Sequence, residues 1–549
     1  MPLLLFATVA CAFFVAVCLV PLVRACCRRL GIVDNPDRDR KLHSDAVSLG
    51  GGIAVFFSIV IASALVLSGD RFLGQRQLGL SSQVVPADST SLQGHSRFTP
   101  RVSVAADELA PAKRLLTAGE RAKIKQQWLT LFLAAGVLVL IGLVDDIRPL
   151  SGKHKLLLQF VVVAMVVGTD TVVQRIGIFG STVDLGIFAY PITVLWLLGA
   201  INALNLLDGA DGVASTAGAV IAGGLTILCI QTGNPLGAAV AAAVTGSLLG
   251  FLVFNRPPAT IYLGDAGSMV VGLFIGVISI WGSVKESTLA SYAPLMVLTL
   301  PMFDSVIAIL RRVLTGRGIY AGDRGHIHHQ LLDRFSHPRM LVVLGGLCGI
   351  STASAVLSVW LSMPSLAIIG SLFVIGLLVF TRSFGHAELR MLASRTSRFG
   401  DSLLGARRGT ASQPSHRSVH LQGYRGWDKI WESMVEFADD RGLAEIRLDI
   451  GIAWIHEGYH GSWRRPMMPE KSQQMWIKLP LSVDGRNVGR LEAVGDSHAT
   501  DANAAFQLLI ERSEELQEQI SCLIHGEPSV TVDVDWTEPE STAELAIGK

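Results

Sequence analysis

The chain has 549 residues, of which 50% are hydrophobic and only 17% are charged, and its mean hydropathy is +0.46. Soluble globular proteins carry roughly 25% charged residues, so this composition indicates a membrane protein. A net charge of +1 gives no case for a nucleic-acid partner, and seven cysteines without paired spacing argue against a disulfide framework or a structural zinc site.

Eleven apolar segments approach the roughly 20 residues that a helix needs to cross a bilayer. They predict an all-α polytopic membrane protein with about eleven transmembrane helices. The first segment has no basic flank before it and is too long for a signal-peptide core, so we expect it to be retained as a helix. The segments cover residues 3–23, 50–68, 128–146, 155–172, 188–206, 213–231, 236–254, 267–283, 291–311, 340–360 and 364–381.

The short loops rich in lysine and arginine follow odd-numbered segments, as in "RPLSGKHK" after the third and "RRVLTGRG" after the ninth. Because such loops stay in the cytoplasm, we expect an extracytoplasmic N-terminus and a cytoplasmic C-terminus in the cell inner (plasma) membrane.

Two polar regions interrupt this pattern. Residues 1–382 form the predicted membrane domain, and residues 69–127 form an extracytoplasmic insertion within it. Residues 383–418 follow the membrane domain as a linker. Alternating segments around "VDGRN" predict a hairpin, and a heptad-like helix follows. Residues 419–525 thus predict a small soluble cytoplasmic α+β domain of unknown role, through which a second copy or a protein partner could bind, and residues 526–549 form an acidic tail.

Polar side chains gather at the predicted cytoplasmic helix ends, where ionisable residues are costly and usually functional. Asp145 and Asp146 close the third segment, and an acidic pair at a helix C-terminus opposes the helix dipole, which favours a cation or basic group nearby. Lys41 and His43 precede the glycines 50–52, a pattern that suits phosphate contact. Taken alone, however, a basic anchor before a helix explains that pattern better.

The stretch "NALNLLDGADGVA", residues 202–214, follows an apolar helix and carries Asn202, Asn205, Asp208 and Asp211. The two asparagines are three residues apart, and so are the two aspartates, so on a helix each pair shares a face. Their oxygens suit a hard cation such as Mg²⁺ or the donor groups of a nucleotide. An ordinary cap and turn would explain one asparagine and one glycine, but not the whole set.

Two more clusters lie on the same predicted side. Asn255 ends the seventh segment, and Asp265 opens the eighth, where an aspartate alone would be read as an N-cap. The loop after the ninth segment holds a basic cluster that lacks HExxH or cysteine partners, which argues against zinc and favours phosphate or diphosphate. Its members are Arg324, His326, His328 and His329.

Acidic groups suited to Mg²⁺ and basic groups suited to phosphates thus meet at one membrane face. In phosphoryl transfer, positioning and charge neutralisation supply most of the catalysis, so this set of residues predicts that reaction class. The apolar bundle beside it indicates that one substrate is a lipid.

The motifs "LVDD", "NALNLLDGADGVA", "FNRPPATIYLGDAGS" and "DRGHIHHQLL", in this order at these helix ends, resemble the polyprenyl-phosphate N-acetylhexosamine-1-phosphate transferases over about residues 1–382. The resemblance implies a Mg²⁺-dependent enzyme that transfers a sugar-1-phosphate from a UDP-sugar to a membrane polyprenyl phosphate and releases UMP. "DRGHIHHQLL" and "RKLH" are similar to the GlcNAc-1-phosphate branch, so UDP-GlcNAc and undecaprenyl phosphate are the expected substrates.

The resemblance implies that Asp265 is the principal Mg²⁺ ligand, with Asn205 assisting and Mn²⁺ as an alternative metal. It places Asp145 and Asp146 with Asp265 in the catalytic centre, near the polyprenyl phosphate. The implied substrate-binding residues are Lys41, His43, Asn202, Asp208, Asp211, Asn255, Arg324, His326, His328 and His329.

Three alternatives stay open. The sugar donor could be another UDP-HexNAc or UDP-MurNAc-pentapeptide. A secondary transporter also carries polar groups on broken helices, but it places them at the bilayer midplane and shows internal repeats. Asp145 could act as a base or only orient the nucleophile. A phosphate monoester has its second pKa near 6, so at pH 7 it is already mostly a dianion and a base gains little.

Overall fold

The protein is described by a computed structural model. Three predicted site residues, Lys41, His43 and Arg324, lie outside the described residues, as do the acidic tail, most of the insertion and most of the linker. The described residues are 1–34, 46–67, 118–178, 181–283, 293–315, 325–393, 396, 415–423, 425–452, 455 and 457–525.

A helix lies at each of the eleven predicted positions, because each apolar segment satisfies its backbone hydrogen bonds internally when it is helical. Two short helices, Ala293–Met296 (α9) and Ile327–Leu332 (α11), also occur among the described residues before residue 381. The eleven are Pro2–Leu30 (α1), Gly51–Leu67 (α2), Ala118–Ile147 (α3), Gly152–Val167 (α4), Ala189–Leu207 (α5), Val213–Gln231 (α6), Pro235–Asn255 (α7), Gly264–Gly282 (α8), Thr299–Leu314 (α10), His337–Trp360 (α12) and Ser365–Phe380 (α13).

Seven helices in the described part of the chain are long and apolar enough to cross a membrane. The chain is therefore a mostly helical, multi-pass membrane protein. The helices α2, α4, α10 and α13 have only 16 or 17 residues, so the total of eleven spans stays a prediction. The seven are α1, α3, α5, α6, α7, α8 and α12.

Helix α8 is the centre of the bundle. It packs against α2, α3, α5, α6 and α7, and 16 of its 19 residues are buried, as expected for a helix that is apolar all round. Small residues let its neighbours approach: a methyl group on Gly142 of α3 would overlap the backbone of Ala266, and one on Gly52 of α2 would overlap Gly267. The first turn of α8 is thus held tightly between α2 and α3.

Two small antiparallel ribbons lie between these helices. Val33–Asp34 (β1) pairs with Val47–Ser48 (β2), and Arg175–Ile178 (β3) pairs with Ser181–Asp184 (β4). The Ser48 carbonyl accepts a hydrogen bond from the Tyr262 backbone N–H (2.9 Å). This bond ties the first ribbon to the segment that leads into α8.

The C-terminal region contains a five-stranded antiparallel sheet in the order β5-β7-β6-β9-β8, which confirms a small α+β fold. The predicted "VDGRN" turn is observed, with Asp484 and Gly485 both at positive φ, as a two-residue hairpin requires. The elements are Ser415–Gln422 (β5), Trp427–Asp440 (α14), Glu445–Ile452 (β6), Glu457–Arg464 (β7), Gln474–Val483 (β8), Arg486–Asp496 (β9), Thr500–Glu511 (α15) and Ser513–His525 (α16).

The prediction of one heptad-like helix after the sheet is wrong. The chain forms two helices that separate at Arg512. The reason is that they pack on different strands, α15 on β9 and α16 on β8, so a single straight helix could not cover both.

The chain divides into two compact units. The first comprises Met1–Asn35, Ser44–Asp304 and Phe335–Gly376. The second comprises Pro36–His43, Ser305–Arg334 and Leu377–Lys549. It therefore includes the end of α10, the C-terminal sheet and the histidine motif, which is formed by His326, His328 and His329.

Replacing Gly142 by alanine should destabilise the bundle, because the new methyl group would displace the start of α8. Overpacking of this kind costs about 1–3 kcal/mol, so we expect an apparent Tm several degrees below wild type in detergent. Gly136→Ala on the same helix is the matched control, since its methyl group would meet only Phe56 at an ordinary 3.6 Å. Equal melting temperatures for the two variants would contradict the packing described here.

Candidate active site

The free backbone N–H groups at the start of α8 lie near two carboxylates from the ends of other helices. The Asp146 carboxylate, at the end of α3, accepts from Asp265 N (2.9 Å) and Ala266 N (3.4 Å). The Asp208 carboxylate, which follows α5, lies near the Gly264 backbone N–H. A helix N-terminus leaves its first N–H groups without helical partners and favours negative charge there. Asp146 therefore fixes the turn that carries Asp265, and Asp208 lies beside that turn.

The Asp265 side chain does not cap its own helix. Its Oδ2 atom lies 2.6 Å from Lys155 Nζ, and its Oδ1 atom accepts from Asn205 Nδ2 at 2.6 Å. The cap is supplied by Asp146 across a sequence separation of 119 residues. Asp265 is therefore free to face the centre of the cluster, and the N-cap explanation for it is wrong.

The Lys155 ammonium group lies among three oxygen atoms from three different helices. Its distances are 2.9 Å to Asp145 Oδ2, 2.6 Å to Asp265 Oδ2 and 3.0 Å to Asn205 Oδ1. The carboxylates of Asp145 and Asp265 thus share one ammonium group. Because the Lys155 and Asp145 side chains are only 15% and 8% exposed, water screens these charges little.

A second row of polar side chains orients this group. Asn205 Nδ2 also donates to Ser268 Oγ (3.0 Å), which fixes the amide so that its oxygen faces Lys155. One turn earlier on α5, Asn202 Nδ2 donates to Oε1 of the buried Gln159 (2.7 Å). Asn202 therefore contacts the same helix, α4, that carries Lys155.

Negative charge is concentrated around the start of α8. Burial, and then the charges of Asp265 and Asp146, raise the pKa of Asp208 well above its usual value. Lys155 supplies a single positive charge to Asp145 and Asp265. The site therefore has a surplus of acidic groups that a divalent cation would offset.

The donor set fits Mg²⁺ by its chemistry. Two carboxylates and one amide oxygen already surround a cation, and Mg²⁺ prefers such oxygen ligands while keeping several waters. No group of three or more His, Cys, Asp or Glu side chains suited to a metal is found among the described residues. The oxygens of Asp145, Asn205 and Asp265 are the ones that already contact a cation, the Lys155 ammonium group, at this position.

Asp211 and Asn255 fix the loop before α8. The Asp211 carboxylate accepts from Ala259 N (2.8 Å). The buried Asn255 accepts from Gly212 N (3.1 Å) and Ser215 Oγ (2.8 Å) and donates to the Ile261 carbonyl (3.0 Å). These contacts set the positions of backbone segments, and the predicted nucleotide contacts of both residues stay predictions.

The histidine motif belongs to the second unit. His326 precedes the short helix α11, and its carbonyl accepts from His329 N (3.1 Å). The rings of His326 and His328 are nearly parallel with centroids 5.9 Å apart, and those of His328 and His329 lie 4.2 Å apart. The three imidazoles therefore form one cluster.

Lys155 and Gln159 are the principal residues that sequence reasoning missed. In the sequence, Lys155 was used only to assign its loop to the cytoplasmic side of the membrane. It also lies four residues before Gln159 in an apolar helix. Residues four apart share a helix face, and polar pairs on a membrane helix usually have a function. That spacing was the available signal.

Comparison with known proteins places this site in a family. The sequence profile of glycosyl transferase family 4 matches residues 128–283. A probable undecaprenyl-phosphate N-acetylglucosaminyl 1-phosphate transferase of Bacillus subtilis is 34% identical over 49% of this chain and 77% of its own length. A phospho-N-acetylmuramoyl-pentapeptide-transferase of Prochlorococcus marinus is 31% identical over 45% and 72%.

A decaprenyl-phosphate N-acetylglucosaminephosphotransferase of Mycolicibacterium smegmatis is 26% identical over 52% of this chain and 78% of its own. The family match spans helices α3 to α8, which carry every member of the acidic cluster. The chain therefore belongs to glycosyl transferase family 4, the polyprenyl-phosphate N-acetylhexosamine-1-phosphate transferases.

Proposed function

We propose that this protein transfers GlcNAc-1-phosphate from UDP-GlcNAc to undecaprenyl phosphate, releases UMP, and so begins a lipid-linked cell-surface polysaccharide. The observation that carries the proposal is the oxygen set around Lys155 at the start of α8, inside the matched part of a membrane protein. The names of the Bacillus and Mycolicibacterium relatives support GlcNAc as the sugar.

Mg²⁺ is the proposed cofactor, with Mn²⁺ as an alternative. Asp265 and Asn205 would hold it, and when bound it would neutralise charge on the donor diphosphate. Lys155 would then interact with Asp145 and with phosphate oxygens, because its ammonium already neutralises charge at this position. Asp146 would act through the start of α8, which it holds.

Asp145 would orient the acceptor phosphate. Its Oδ1 accepts from Leu150 N (2.6 Å), and its Oδ2 pairs with Lys155, so both oxygens already have partners. A phosphate that is mostly ionised at pH 7 also needs little help from a base. These two points favour positioning over proton transfer.

The remaining predicted residues would bind the donor. Asp208 and Asp211, with Asn202 and Asn255, would lie along the nucleotide. Lys41, His43 and the basic cluster, Arg324 with the three histidines, would contact the diphosphate and sugar. The proposed orientation in the plasma membrane has the N-terminus outside and both the site and the C-terminus in the cytoplasm, where UDP-sugars are available.

Two alternatives to the proposed reaction remain, one with a different sugar donor and one with a different class of function. The Prochlorococcus relative, named for a phospho-N-acetylmuramoyl-pentapeptide, keeps UDP-MurNAc-pentapeptide as a second candidate donor, beside other UDP-HexNAc sugars. A secondary transporter is the out-of-class alternative. The gathering of site carboxylates at helix ends, away from the middle of the helices, disfavours it.

The direct test incubates purified protein with undecaprenyl phosphate and a panel of radiolabelled UDP-sugars. We expect UMP release and a lipid-linked product with UDP-GlcNAc, in the presence of Mg²⁺ or Mn²⁺ and not with EDTA. Asp265→Asn should lower the rate at least about a hundredfold, because it removes a charged ligand. Lys153→Met, an exposed change on the same helix turn as Lys155, should match wild type. A lipid product from no UDP-HexNAc would refute the proposal.

The pH dependence of Asp145→Asn distinguishes the two roles of Asp145. Orientation predicts a similar fold-loss in single-turnover rate from pH 5.5 to pH 8.5, because the acceptor ionises without help over most of that range. A base predicts a large loss below the phosphate pKa, near 6, and recovery above it. Recovery at high pH would therefore overturn the positioning role.

A further inference from the structure

The C-terminal sheet has a polar face opposite its helices. Successive residues of a strand point to opposite sides. On β6, Leu448 and Ile450 belong to the hydrophobic core beneath α14 and α15, which puts Asp449 on the other face. On β9, Leu491 belongs to that core, and Arg490 is on the polar face.

A charge network centred on the buried Asp449 crosses the polar face at one register. Asp449 lies opposite His460 of β7 and Arg490 of β9. Its carboxylate contacts His460 Nδ1 (3.1 Å) and Arg490 Nη2 (3.2 Å), and only 4% of the residue is exposed. Arg490 Nε also lies 3.6 Å from Glu492. The guanidinium group is therefore held in one orientation by two carboxylates.

The Arg490 Nη2 atom, which contacts Asp449, also contacts a different part of the second unit. Its Nη2 donates to the backbone carbonyl of Thr315 at 3.0 Å. Thr315 directly follows α10, where helix carbonyls have no helical partners and a positive charge is favourable. The C-terminal sheet thereby binds the end of this helix.

The same helix end holds the histidine motif through Arg311. Thr315 N donates to the Arg311 carbonyl (2.9 Å), and Arg311 Nη2 donates to the Gly325 carbonyl (2.8 Å). Arg311 Nε pairs with the buried Glu388 at 2.5 Å. Gly325 immediately precedes His326, and a methyl group on it would overlap the Arg311 guanidinium. A continuous set of contacts thus connects Arg490 to the first histidine.

We infer that Arg490 is a positioning residue for the histidine motif, so that the C-terminal sheet contributes to donor binding from a distance. The inference rests on the proposed function in so far as His326, His328 and His329 bind the nucleotide sugar. It assigns a role to a region outside the family match, which ends at residue 283. Loss of Arg490 would loosen the end of α10 and leave the histidines less ordered.

The test compares full-length Arg490→Ala, Arg490→Lys and Lys478→Ala proteins in lipid nanodiscs. Lys478→Ala is the matched control, because Lys478 lies on the same sheet face and pairs with the same Glu492 (3.3 Å). Amide hydrogen exchange of residues 325–334 is the first readout, and KM and kcat with UDP-GlcNAc are the second.

We expect Arg490→Ala to speed amide exchange in residues 325–334 and to raise KM about tenfold, with kcat changed less than about threefold, since one charged hydrogen bond is lost. A lysine at position 490 can keep the ion pair with Asp449, but it has no planar guanidinium group that could also donate to the Thr315 carbonyl. Arg490→Lys should therefore also speed amide exchange in residues 325–334 and raise KM, while the sheet stays intact. Lys478→Ala should match wild type in both readouts.

Exchange and KM for Arg490→Ala that equal those of Lys478→Ala would overturn the inference. If the wild-type protein transfers no sugar phosphate, the proposed function fails, and the exchange comparison alone then decides whether Arg490 orders the histidine motif. Protection of the β6 and β9 amides shows that the sheet remains folded in each variant.

Discussion

The structure depends on the gathering of carboxylates around the first turn of α8. Asp146 binds two of its free N–H groups and Asp208 lies beside them, while Asp265 turns away from its own helix toward Lys155. Carboxylates this close together repel one another, so the arrangement requires positive charge nearby. The Lys155 ammonium group and the positive end of the α8 helix dipole supply it. The surplus of acidic groups that makes the site costly suits the divalent cation that we propose it binds.

Close helix packing makes that gathering possible. Gly142 and Gly52 allow α3 and α2 to touch the α8 backbone just beyond Asp265, which brings the end of α3 to the start of α8. Lys155 then reaches the cluster from the first turn of α4. A site assembled by several helix ends has few soft degrees of freedom, which suits a reaction that relies on positioning.

Sequence reasoning found the helices and most of the polar residues, because apolar length and polar helix ends are local signals. It could not predict which carboxylates accept hydrogen bonds from the backbone N–H groups at the start of α8. The Asp146–Asp265 contact joins residues 119 apart, and nothing near Asp146 in sequence indicates an N-terminus to cap. Lys155 was missed because a basic residue near a helix end has an ordinary explanation. The division of the last helix at Arg512 was missed because it depends on which strand each half covers.

The most direct test of the account is whether the oxygens around Lys155 bind a divalent cation. Electron paramagnetic resonance of Mn²⁺ titrated into the purified protein measures this without substrate. The account predicts one tight Mn²⁺ that Mg²⁺ displaces, binding weakened at least about tenfold in Asp265→Asn and Asn205→Ala, and unchanged binding in Lys153→Met. Wild-type affinity for Mn²⁺ in Asp265→Asn would contradict it.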